Sequence, residues 1–504
     1  MTRRDRQWLA LVAVAAFLID VAYSWARHAR YLTTGFDLGI FDQAVRAYAR
    51  FEAPIVPLKA PGYHLLGDHF HPIIALWAPL YWIWDDPRML LAAQAALIAV
   101  SVIPVARFTA RRLGSRPAVL VAGLYVISWP LQRMVQFDVH EIAFAVPLLA
   151  LVIDAVDRRA RRTTLLACLG LLATREDMGA VVLLVGVLVA VHAVRWGRWG
   201  RGEDGARRLR PARSDLLWGG ALMVLGLAGY ELATSVVIPH FAGGAGFVYW
   251  TFPALGPDPA SALRFVLTHP WSVLVMMVTP WKKAHTLLML GMPVLYACLA
   301  SRYVILALPL LAQRMLNERD LLWSTNFHYS SVLSPIMFLA AVDAVAALAR
   351  VVRARAIRGR VGERVVAGWL AGCAAVLVVG MLVQAGDYPL SRLVTQRFWA
   401  RDLRVQAIDQ VLPLIPDDVC VESDNTVAPQ LTRRDYVTRV GRSNDLATWM
   451  VLDFSRPDTG WQGVPPPQAY AEALRRGFTP YEQRNVIVVL RRPGVLVDPV
   501  CRVS

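Results

Sequence analysis

The sequence predicts a mainly α-helical, polytopic membrane protein with a small extracytoplasmic α/β domain at its C-terminal end. Three observations lead there. Hydrophobic residues make up 56% of the 504 residues, charged residues 18%, and the mean hydropathy is +0.43. A soluble domain sits nearer half apolar and a quarter charged. About eleven apolar segments, each read as a transmembrane helix, occupy the region before residue 385. The acidic and histidine residues gather in the breaks between them, all on one side, where they mark a polar site or a water-filled cavity.

The segments follow in order. Arg3, Arg4 and Arg6 precede a first span at 7–26 and place the N-terminus in the cytoplasm. No small-residue cleavage site follows, so this span reads as a retained signal anchor. Residues 27–87 form one large outer loop. Within it, Pro72 to Trp84 is too short to cross upright and reads as a juxtamembrane or re-entrant helix. A span at 88–109 returns inward to Arg107, Arg111, Arg112 and Arg116. Segments 117–133 and 142–157 turn outside at Asp138, His140 and Glu141, and Arg158 to Arg162 lie inside. Segments 163–174 and 178–194 turn outside at Arg175, Glu176 and Asp177. Residues 195–213 read as a basic, Gly-rich, flexible cytoplasmic loop.

A span at 215–238 leads out to a loop at 239–270 with an interface-type aromatic group, Phe247, Tyr249, Trp250 and Phe252. Short segments at 284–300 and 301–316 come next. Segment 329–350 ends in the cytoplasmic run Arg350 to Arg360, and the last span, 364–385, delivers the C-terminus outside. All four acidic clusters then share the outer face of a multi-pass plasma-membrane protein. The net charge of +16 lies mostly in arginines of the inner loops. There it is an orientation signal and not the footprint of a nucleic-acid binder.

The membrane domain is placed at 1–389 and the extracytoplasmic domain at 390–504. In the latter, 400–412 and Pro467 to Arg476 read as helices; Val419 to Glu422, Trp449 to Phe454 and Asn485 to Leu490 read as strands. Its two cysteines, Cys420 and Cys501, either form a disulfide on the oxidising side or remain two thiols. Cys168, Cys298 and Cys373 fall in spans as small packing residues.

Transfer of a sugar from a lipid phosphate needs a carboxylate base, groups that hold the departing phosphate, and an apolar groove for the lipid. Asp37, about a dozen residues after the first span, is the candidate base. Asp42 is a second acid or a metal ligand; either residue could instead cap a helix start. Asp68, His69, His71, Asp138, His140 and Glu141 have donors suited to a divalent cation, but no metal-motif spacing, and fit better as a polar floor under the sugar. Arg175, Glu176 and Asp177 join that floor, with the acidic pair also suited to a helix N-terminus. Lys282, Lys283, His328 and Tyr329 are phosphate candidates, the lysines equally readable as a snorkelling anchor.

Five motifs occur in order: Phe36-Asp37-Leu38-Gly39-Ile40-Phe41-Asp42-Gln43, Gly67-Asp68-His69-Phe70, Phe137-Asp138-Val139-His140-Glu141, Arg175-Glu176-Asp177-Met178 and Phe327-His328-Tyr329-Ser330. With them, nearly the whole chain resembles a family of predicted bacterial membrane proteins grouped with the GT-C superfamily of polyprenyl-phosphate-dependent glycosyltransferases. The resemblance implies a GT-C-like fold, a polyprenyl-phosphate sugar donor and an envelope glycan, lipid or protein acceptor. It also matches Asp37 to the first-loop base. A transporter or flippase of an envelope precursor, and a non-catalytic envelope scaffold, are the alternative classes. A transporter would carry charges at mid-span and paired broken helices, and neither pattern stands out here.

Overall fold

A computed structural model describes the chain except residues 197, 202–206, 211–212, 356–360, 385, 461 and 504. Among the described residues, five helices are long and apolar enough to cross a bilayer: Arg3–His28, Arg88–Leu113, Arg213–Phe241, His328–Ala354 and Val361–Val383. Two bent pairs raise the count to as many as seven. Ser115–Val126 meets Trp129–Gln136 at 42°, and Pro259–Thr268 meets Pro270–Val278 at 103°.

The expected count of about eleven is not reached, and length is the reason. Ala145–Asp157 and Arg161–Leu172 have 13 and 12 residues. At 1.5 Å per residue these reach roughly 18–20 Å, short of a hydrocarbon core of about 30 Å. Trp281–Gly291 and Leu308–Met315 are helices of only 11 and 8 residues, and between them the backbone breaks into short turns, with Leu295 and Tyr296 both in the left-handed region. The loop expected at 239–270 also differs, because Pro259–Thr268 and Pro270–Val278 are helical. The tip of the basic loop expected at 195–213 lies outside the described residues, as does the end of the run to Arg360. On either side of that tip Arg198–Arg201 pairs antiparallel with Arg207–Arg210.

Small residues bring two helices close together. A Cβ on Gly186 would meet the Gly219 carbonyl oxygen at 2.5 Å, and one on Gly226 would meet that of Gly179 at 2.5 Å. Helices Met178–Trp196 and Arg213–Glu231 therefore pack backbone to backbone, as small-residue faces allow in lipid. Pro72–Trp77 and Ala78–Tyr81 form a short helical element where a juxtamembrane or re-entrant helix was expected. Leu76, Trp82 and Ile83 stand exposed on it, which suits a segment lying on a membrane surface.

The C-terminal sheet has five strands: β1 Cys420–Ser423, β2 Tyr436–Arg439, β3 Trp449–Asp453, β4 Thr479–Arg484 and β5 Ile487–Arg491. Their order is β2-β1-β3-β5-β4; β1 runs parallel to both neighbours and β5 antiparallel to both of its own. Helices Leu403–Val411 and Pro466–Arg475 occur where expected. Cys420 and Cys501 are disulfide-bonded, tying β1 to the chain end.

The hydrophobic core has two main parts. One fills the helix bundle around Tyr125, Trp129, Ile153 and Leu339. The other joins Leu38, Phe41, Leu58 and Trp77 of the 27–87 loop to Ile408, Val421, Leu431 and Val451 of the C-terminal region. The loop and the sheet domain are thus one packed body above the bundle.

Candidate active site

Asp37 sits in a π-turn, Gly35–Gly39, between the first helix and Ile40–Ala49. Its place is set from two sides. The Gly35 N–H donates to the Asn425 carbonyl at 2.6 Å, and the Phe36 N–H to Asn425 Oδ1 at 2.8 Å. A Cβ on Gly35 would meet that of Ala428 at 2.9 Å, so the C-terminal domain rests directly on this turn. From the bundle side, Asp138 accepts from Arg27 Nη1 at 3.0 Å and from the Thr34 N–H and Oγ1, both at 2.7 Å. Asp138 has φ +49°, a left-handed turn that aspartate tolerates better than most side chains. Burial pushes its carboxyl up in pKa against the pull of Arg27 and Thr34.

Gln94, from helix Arg88–Leu113, spans the same turn. Its Nε2 donates to the Asp138 carbonyl at 2.6 Å, and its Oε1 accepts from the His140 N–H at 3.1 Å. His140 is clamped between rings, stacked on His328 with centroids 3.6 Å apart and on Phe137 at 5.4 Å. Its Nε2 lies 3.3 Å from Asp37 Oδ2 and its Nδ1 3.5 Å from Glu141 Oε2. The first contact is an ion pair without hydrogen-bond alignment. Burial opposes a charge on this imidazole, but Asp37 and Glu141 outweigh it and raise the pKa to about 9. At neutral pH Asp37 therefore faces an imidazolium.

The contacts continue outward. Arg175 Nη1 is 3.6 Å from Glu141, and its Nε and Nη2 form a fork on Asp177 at 2.8 and 2.6 Å. Glu176 accepts from His69 Nδ1 at 2.7 Å and from the Phe70 N–H at 3.1 Å, docking the first loop on this turn. Burial works against the His69 charge, yet Glu176 raises its pKa overall. Asp68 pairs with Lys59 at 2.6 Å and accepts from Tyr249, whose ring stacks on His69 at 4.0 Å. Burial alone would raise the Asp68 carboxyl, but His69 and Lys59 hold it at about 2. Asp37, His140, Glu141, Arg175 and Asp177 are one continuous chain of contacts drawn from three segments, with His69 and Glu176 beside it.

A cavity of about 420 Å³ opens next to this chain. Its polar rim includes His69, Arg175, Asp177, Tyr249 and Tyr329; its apolar wall is Leu183, Gly226 and Leu227 of the closely packed helices, with Leu310 and Val332. Tyr329 lies within electrostatic reach of Asp37. Two arginines absent from the sequence-derived candidates also line it. Arg314 is buried and donates to the carbonyls of Leu322 and Ser324 and to Ser330 Oγ. Among the described residues no carboxylate pairs with it. Arg319 lies over the Tyr249 ring at 5.1 Å. Arg314, interrupting the apolar run 303–316, was the sequence signal that could have found this part of the site.

Other candidates fall elsewhere. The Asp42 carboxylate is fully buried, accepting from Arg46 Nη1 at 2.6 Å and from Tyr81. Arg46 also donates to the Thr432 carbonyl, so Asp42 anchors helix Ile40–Ala49 to its surroundings and has no face toward the cavity. This corrects its reading as a second acid or metal ligand. Lys282 pairs with Asp320 at 3.0 Å at the surface. Lys283 donates to the Met276 carbonyl and lies over Trp323 at 4.2 Å. Neither lysine lines the cavity, which corrects their place among phosphate ligands. His328 is buried beneath His140 and reaches the site as a stacking partner. Among the described residues, no three His, Cys, Asp or Glu side chains are grouped to hold a metal ion.

Fold and site together define a polytopic helical membrane protein in which the first loop borders a cavity with a polar rim and a small sheet domain packs on that loop. More narrowly, the chain belongs to the family described as predicted membrane protein DUF2079, which it matches over residues 27–489. No curated protein matches it. Among solved structures, ArnT from Cupriavidus metallidurans bound to undecaprenyl phosphate is similar at 13% identity and a TM-score of 0.48, covering 98% of this chain and 99% of that one. The apo state of the same protein aligns at 13% identity and a TM-score of 0.47, covering 97% and 98%. An oligosaccharyltransferase from Archaeoglobus fulgidus, tethered to an acceptor peptide, aligns at 12% identity and a TM-score of 0.38, covering 89% and 69%.

Proposed function

We propose that this protein is a membrane glycosyltransferase that moves a sugar from a polyprenyl-phosphate donor to a hydroxyl of a cell-envelope glycan, lipid or protein acceptor. The observation that carries this reading is the cavity. Asp177, Arg175, Arg314 and Arg319 line it, its far wall is an apolar groove between helices, and Asp37, not itself a lining residue, is linked to that rim through His140, Glu141 and Arg175. In the reaction, Asp37 takes the proton of the acceptor hydroxyl as that oxygen bonds to the anomeric carbon. The bond from that carbon to the phosphate oxygen breaks, and its electron pair leaves with the polyprenyl phosphate. Arg314 and Arg319 supply positive charge to the departing phosphate. His140 and Glu141 position Asp37, His69 and Asp177 contact the sugar, and the groove beside Leu183 and Leu227 admits the prenyl chain. The inner-loop arginines support an orientation with the N-terminus in the cytoplasm and the cavity outside.

Membranes of a deletion strain expressing each variant are supplied with radiolabelled polyprenyl-phosphate sugars, and label in envelope material is counted. Asp37→Asn keeps size and fold and lowers transfer roughly a hundredfold or more. Arg314→Gln raises the donor KM about tenfold, the worth of one charge-assisted contact. Wild-type labelling by Asp37→Asn would sink the assignment.

A further inference from the structure

A second, larger cavity lies among other helices of the bundle. A trough of about 1160 Å³ runs between the first helix, Ser115–Val126 and Val361–Val383, lined mostly by apolar residues such as Val12, Ile19, Leu120, Gly123 and Leu370, with Arg116, Arg353 and Glu363 also on its wall. It shares no lining residue with the cavity at Tyr329. Beyond one end of it is a basic pocket of about 360 Å³ containing Arg27, Arg30, Arg392 and Arg397. The same two elements run through both. Ile19 and Asp20 line the trough, and Tyr23 and Arg27 follow one and two turns along the same helix. Leu390 lines the trough, and Arg392, two residues on in the turn Pro389–Val394, lines the pocket.

The four guanidinium groups are under-neutralised. Arg27 pairs with Asp138, but among the described residues no carboxylate pairs with Arg30, Arg392 or Arg397. Arg30 donates Nη1 to the Phe398 carbonyl at 2.6 Å, while its Nε is buried with no hydrogen-bond partner. A buried guanidinium donor without an acceptor costs stability unless a ligand supplies one. Arginine forks match phosphate oxygens in geometry and charge. The exposed Trp399 and Val394 beside the pocket suit the level of lipid headgroups.

We infer that the trough and the arginine pocket together form a binding site for a phosphate-bearing lipid, its chains along Ile19 and Gly123 and its phosphate among Arg30, Arg392 and Arg397. The site stands apart from the transfer cavity and does not depend on the reading of the protein as a transferase.

The test uses the purified full-length protein in detergent and native mass spectrometry. The probes are dioleoyl-phosphatidylglycerol, phosphate-free dioleoylglycerol and soluble glycerol phosphate. The wild type retains the phospholipid at least tenfold better than dioleoylglycerol. The combined variant Arg30→Gln, Arg392→Gln and Arg397→Gln loses that preference. Should it fail to fold, Arg392→Gln alone, at an exposed position, lowers the preference about threefold. A Cβ on Gly123 meets nothing within 4 Å, so Gly123→Phe fills the trough and lowers retention of both lipids several-fold. An unchanged preference in the arginine variants overturns the site. Displacement of the phospholipid by equimolar glycerol phosphate, or full lipid retention by Gly123→Phe, would reassign it to free phosphate and overturn the lipid.

Discussion

Replacing His140 with Gln probes the centre of the site through pH. The neighbouring carboxylates raise this imidazole from 6.5 to about 9. At 1.36 kcal/mol per pH unit that step is worth about 3 kcal/mol of folding free energy. Because the folded value lies above the unfolded one, the contribution is complete below about pH 6.5. It declines as pH rises and is gone above about 9. Chemical denaturation in micelles at pH 6 and pH 10, on wild type and His140→Gln, isolates the effect. Other titrating groups cancel in the difference between the two proteins. The wild type loses about 3 kcal/mol more than the variant across this range. Asp37→Asn, which removes the carboxylate with the largest effect on the charged ring, moves the loss to lower pH. Parallel pH dependences for wild type and His140→Gln would show that His140 is not held as an imidazolium, and the electrostatic account of Asp37 would go with it.

Gly35→Val drives side-chain atoms into Ala428 and Asn425, whose nearest atoms already lie 2.9 and 3.2 Å from a Cβ there. It lowers stability by about 1–3 kcal/mol, read as a fall in melting temperature, and speeds proteolysis of the C-terminal region. Cys501→Ser opens a link spanning 81 positions and costs about 2–4 kcal/mol, measured by denaturation; equal stability of wild type with and without reductant would contradict this. Reporter fusions after residues 60, 205 and 450 read outside, inside and outside, and an inside signal at 450 would reverse the proposed orientation.

Much of the site was legible because each polar motif interrupts an apolar run, where an ionisable side chain stands out. Asp37, His140, Glu141, Arg175 and Asp177 were all visible in that way, and the structure links them by contact. Asp42, five positions on and off the same helical face, was read as a second acid or a metal ligand close to Asp37, but Arg46, one turn on, claims it. The lysine pair was read as a phosphate candidate or a snorkelling anchor, and Asp320 and Trp323 occupy it locally. Arg314 was passed over since its segment was the least regular of the apolar stretches. In the C-terminal domain, β3 and β5 are mostly apolar and were found, as was β1, which follows Val419. Strand β4, Thr-Pro-Tyr-Glu-Gln-Arg, is mostly exposed and polar and has no alternation to detect. The merged core of loop and sheet domain could not be read at all, because its halves lie at opposite ends of the sequence.

That separation governs the order in which the molecule is made. Phe36 and its anchor Asn425 are 389 positions apart. The turn bearing Asp37 leaves the ribosome among the first segments, while the residues that seat it are among the last. A nascent chain can thus insert every helix of its bundle and still have an unfinished site. Premature termination anywhere before β1 leaves Gly35 and Phe36 without their partners. Completion of synthesis is itself the step that seats the turn bearing Asp37.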